Sequence, residues 1–228
     1  MASPVRGRGF TLIELLVALA VMALLAIVSW RGLDVMVRSQ EQTRQRGNDL
    51  LVLQAALAQW STDLDALQTL PHTTAIDWDG QVLRMTRRSS AQPDPGALVV
   101  AWARREVQGQ SQWLRWQSLP LRTLGQWQQA WQQAGQWGRN PGEADRRGEV
   151  VLLPLADWQI FYYRQDAWSN PQSSTGAPEP ATPDNPTGAA AGRIPDGVRL
   201  QLDLAPGQAL VGRITRDWAN PLLGGGKS

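Results

Sequence analysis

Residues 10–28 read FTLIELLVALAVMALLAIV, and how this run is read decides the architecture of the whole chain. As a helix rising ~1.5 Å per residue, these 19 residues span roughly 28 Å, about the thickness of one hydrocarbon core. From Leu15 to Val28 no side chain is polar. Residues 1–9 are short, polar and basic, with Arg6 and Arg8, so the positive-inside bias places them in the cytoplasm. Everything after Trp30 is then expected on the far side.

A secretory signal peptide has an apolar region of about 7–15 residues followed by a small-x-small cleavage site. Here the chain continues as SWRGLDVMVRSQEQ, which has no such site and stays compatible with a helix. A plain uncleaved anchor is the other simple reading, and Glu14 counts against it. An acidic side chain inside an apolar span costs on the order of 1–3 kcal/mol, depending on depth, and needs a partner. If the chain is cut after Gly9, Glu14 becomes the fifth residue and a new α-amino group appears at Phe10. Amine and carboxylate are opposite charges in a low-dielectric layer, where pairing between neighbouring subunits is favoured.

Gly9-Phe10-Thr11-Leu12-Ile13-Glu14, preceded by Arg6 and Arg8 and followed by the apolar helix, resembles the cleavage and methylation motif of type IV prepilins and type II secretion pseudopilins. The resemblance implies that a prepilin peptidase cuts after Gly9, that the Phe10 amine is N-methylated, and that Glu14 registers one subunit against the next. It also implies a single-pass protein of a bacterial inner membrane with its carboxy-terminal domain in the periplasm.

Beyond the membrane the helix is expected to continue to about Leu67, ahead of Pro71. Leu50, Leu53, Leu57, Trp60, Leu64 and Leu67 recur at spacings of three and four, which marks one face of an amphipathic helix. Gln54, Gln59, Ser61, Asp63 and Asp65 fall on the opposite, solvated face. Gly32 and Gly47 each weaken the helix by about 1 kcal/mol relative to Ala, so both are candidate bends.

After Pro71 the pattern turns to period two. Asp79-Gly80 between two apolar runs signals a hairpin, and strands are expected over 97–105, 112–119, 149–154, 158–164, 198–204 and 209–218. The fold class is therefore α+β: a long N-terminal helix, membrane-spanning in its first half and amphipathic in its second, packed on antiparallel β-sheet in a pilin-like manner. The segments are a cleaved leader 1–9, a transmembrane segment 10–30, a periplasmic helix 31–70, an outer domain 71–219 and a tail 220–228. A Pro/Ser/Gly/Ala-rich stretch, 169–192, reads as a mobile loop within the domain.

LLPLADWQIFYYRQDAW and, after the loop, IPDGVRLQLDLAPGQALVGRI are similar to the J branch of the type II secretion minor pseudopilins, as is GLDVMVRSQEQ after the membrane helix. The long Pro-rich insertion departs from that pattern. This resemblance implies a structural subunit that helps form a filament-tip complex and initiate the periplasmic pseudopilus for protein export. The implied partners are the minor pseudopilins I and K, the major pseudopilin and the inner-membrane secretion platform. A minor pilin of a type IV pilus, serving adhesion, motility or DNA uptake, is the alternative within the class. A membrane-anchored glycan-binding module is the alternative outside it.

No catalytic, cofactor or metal site is expected. The chain has no cysteine and a single histidine, His72, which excludes thiolate metal sites, disulfides and His-paired metal sites. The acidic pairs Asp63/Asp65 and Asp77/Asp79 lack the spacing of a calcium loop. Trp127, Trp131 and Trp137 form a helical stripe, read as a core or subunit contact rather than a sugar platform. The formal charge is +2, and removing Arg6 and Arg8 balances it, which argues against nucleic acid as a partner. Arg87-Arg88, Arg104-Arg105 and Arg146-Arg147 are read as solvated and offset by acids. The terminal GGGKS lacks the helix that a phosphate loop requires.

Overall fold

A computed structural model describes residues 10–89, 96–164, 166–172, 194–207 and 210–221. The leader with Gly9, most of the Pro-rich stretch and residues 222–228 lie outside the described residues. Helix α1 (Leu12–Asp65) runs through Gly32 and Gly47 without interruption. The chain divides into two compact units, the first ending at Asn48 and the second starting at Asp49.

In the first unit the apolar side chains of α1 are exposed, Leu16 at 58% and Leu25 at 61% among them. A helix bare on all sides has no core to bury in, and a hydrocarbon layer is the environment that satisfies it. Among the described residues α1 alone is long and apolar enough to cross a membrane.

Among its described residues the second unit holds the last turns of α1, eight strands and helix α2 (Leu124–Arg139). The strands are β1 (Ile76–Trp78), β2 (Val82–Arg88), β3 (Ala97–Val107), β4 (Gln110–Gln117), β5 (Glu149–Arg164), β6 (Ala167–Ser169), β7 (Gly197–Leu204) and β8 (Gly212–Ala219). All pairings are antiparallel in the order β1-β2-β3-β4-β5-β7-β8, with β6 on the far end of β5. The Asp79-Gly80 hairpin forms as expected. Gly80 takes φ +92°, and the Asp79 carboxylate accepts from the backbone N–H of Gln81 and Val82.

Two expectations for the strands are corrected. Segments 149–154 and 158–164 form one strand, β5, whose first part pairs with β4 and whose second pairs with β7. Pro154 and the polar Asp157 break the alternation at an irregularity between Leu155 and Asp157, which bends the strand without ending it. Strands β3 and β4 also run closer together than expected. Their two-residue turn has Gln108 at φ +52° and Gly109 at φ +77°, the positive-φ pair that matches strand twist.

The sheet around β2–β4 is buried on both faces. Leu53, Ala56, Trp60 and Leu64 of α1 pack on one face with Leu83, Met85, Val100, Trp102 and Trp113. On the other, Trp127, Ala130, Ala134 and Trp137 of α2 cover Val82, Val99, Ala101, Leu114 and Trp116. Helix α2 starts on a capping box, in which Thr123 accepts from the Gln126 N–H and Gln126 reaches back to the Thr123 N–H.

Gly138 sets how closely α2 approaches the sheet, because a Cβ there would overlap Val82 Cγ2. Gly138→Ala is therefore expected to destabilise by about 1–2 kcal/mol, overpacking outweighing the gain in helix propensity. Gly125→Ala on the same helix meets open space and should be neutral or stabilising. Paired thermal melts of the two variants check this.

Candidate functional site

Two clusters of polar side chains stand out, one in each unit. In the first, Glu14 sits one turn into α1. Its Oε2 accepts from the Thr11 N–H and from Thr11 Oγ1, both at 2.9 Å, and the Glu14 N–H approaches Thr11 Oγ1 at 3.4 Å. This is a reciprocal helix cap, and T-x-x-E is its spacing in sequence. The carboxylate in the apolar run thus has partners within its own chain, and Thr11 is a residue the reading of the sequence missed. Phe10 is 85% exposed at the head of the helix. The structure brings Phe10, Thr11 and Glu14 into one turn, and Gly9 lies outside the described residues.

The second cluster overturns an expectation. Asp63, placed by its pattern on the solvated face of α1, is fully buried. Its carboxylate accepts from five donors: Arg115 Nε at 2.7 Å, Arg115 Nη2, Trp102 Nε1 and Gln59 Nε2 at 2.9 Å each, and Arg87 Nη1. Arg87 is equally buried, so the reading of Arg87 as a solvated cation is corrected too. At ~100° per residue Asp63 lies only about 60° from Trp60, at the margin of the apolar stripe. The sheet draws the helix round so that Ala56 and Asp63 face inward, and Leu50 is left 37% exposed. The other acid of the pair, Asp65, accepts from Trp218 Nε1 at 2.7 Å. The end of α1 is tied to β2, β3 and β4 through Asp63 and to β8 through Asp65.

The remaining candidates are absorbed into packing. Asp77 pairs with Arg84, and Asp79 pairs with Arg139 at 2.7 Å. Arg105, also read as solvated, is partly buried against Glu149, which accepts from Trp137 Nε1 as well. His72 sits in an exposed turn at φ +63°. Trp127 and Trp137 are buried, while Trp131 is partly covered, stacked on Trp127 and overlain by Arg84 at 5.0 Å. Nine of the twelve tryptophans are buried, which leaves little aromatic surface for a sugar.

On the solvent face of β7 and β8, two bidentate pairs fix the register: Arg213 with Asp203 and Arg199 with Asp217. The hydrogen bonds from the arginines hold both carboxyls below the usual carboxylate range. A depressed folded-state pKa contributes stability above the unfolded value of about 3.9 and loses it as pH falls through the folded value. Stability should therefore hold steady from neutral pH to about 5 and decline below about 4. The double variant Asp203→Asn/Asp217→Asn should lack that part of the decline in melts taken across the acid range.

The prokaryotic N-terminal methylation motif matches residues 6–30. None of the curated proteins compared matches the chain. Among solved structures, the chain is similar to one from the GspK-GspI-GspJ complex of the enterotoxigenic Escherichia coli type 2 secretion system. The identity is 15%, covering 75% of this chain and 96% of that one, with a TM-score of 0.44. Residues 6–30 thus carry the prokaryotic N-terminal methylation motif, followed in sequence by an α+β unit built on antiparallel sheet.

Proposed function

We propose that this chain is a structural subunit of a periplasmic filament: a minor pseudopilin of a type II secretion system that helps form the tip complex and initiate the pseudopilus. The observation that carries the reading is a methylation motif with Glu14 inside the otherwise apolar first part of α1, ahead of a separately packed unit. On this reading a prepilin peptidase cuts between Gly9 and Phe10, the Phe10 amine is methylated, and Glu14 engages a neighbouring subunit. The chain spans the inner membrane once, with the unit from Asp49 onward in the periplasm. Minor pseudopilins I and K, the major pseudopilin and the inner-membrane platform are its partners, and no catalytic step is assigned to it. The resemblance of 152–168 and 194–214 to the J branch, segments that hold most of β5, all of β7 and the start of β8, supports the secretion system over a type IV pilus.

Intact-mass measurement of the protein purified from membranes tests the processing step. The expected product starts at a methylated Phe10, and Gly9→Leu should leave the leader attached. A wild-type protein that still starts at Met1 would refute the proposal. Co-purification with minor subunits I and K tests the assignment to the tip.

A further inference from the structure

We draw no further inference here: the strongest candidate, the apolar cleft between Leu50 and Leu53 of α1 and Leu152, Pro154 and Leu204 of the sheet, carries nothing because nothing in the structure shows what covers it.

Discussion

Replacing Asp63 with alanine is expected to lower the stability of the outer unit by about 3–5 kcal/mol, the cost of removing one partner from a buried charge cluster. The loss falls on the side chains left behind. Arg87 and Arg115 would lose the carboxylate they share, and the Trp102 indole N–H would lose its acceptor. Asp63→Asn should be nearly as damaging, because it preserves shape but leaves two guanidinium groups beside a neutral amide. Asp65→Ala removes one hydrogen bond from an exposed carboxylate and should cost only about 0.5–1.5 kcal/mol. Denaturant unfolding of the full-length protein, followed through the buried tryptophans, reads all three. A cost below about 1 kcal/mol for Asp63→Ala would show that the cluster does not hold α1 to the sheet.

The same cluster shows where the reading of the sequence stopped. Pattern arguments weigh each side chain by its own polarity, so the membrane span, the Asp79-Gly80 hairpin and the amphipathic α1 were legible from residues a few positions apart. Asp63 is buried because Arg87, Trp102 and Arg115 arrive from three different strands, and no local window contains them. A weak signal did exist: Arg115 in WLRWQ and Arg87 in MTRR occupy the face of their strands that otherwise carries Trp113 and Met85. Cations at core-facing positions imply a buried acid somewhere on the facing element. The split of β5 failed for a related reason, since Pro154 and Asp157 look like a turn until partners on both sides hold the strand together. At the amino terminus the motif is plain, and the T-x-x-E spacing of the Thr11 cap lies inside it, overshadowed by the charge that Glu14 brings to an apolar run.

That cap sharpens what replacing Glu14 should do. Its carboxylate already takes two hydrogen bonds from Thr11, so a neighbouring amine must compete with an existing arrangement rather than rescue a bare charge. Glu14→Ala is expected to leave cleavage after Gly9 and membrane insertion intact, since removing an acid from the span eases insertion. Incorporation into filaments should fall about tenfold or more if a charge pair in the low-dielectric layer holds the subunit in register. Two further variants separate pairing from capping. Glu14→Gln keeps an acceptor for Thr11 at the third helical position but has no charge, whereas Thr11→Ala keeps the charge and loses the side-chain cap. If charge pairing governs assembly, the Gln variant fails like the Ala variant, and Thr11→Ala retains most of its incorporation. Comparing the subunit in sheared filaments with that left in the membrane measures this, with intact mass confirming processing. Wild-type incorporation of Glu14→Gln would instead assign Glu14 to the helix cap alone.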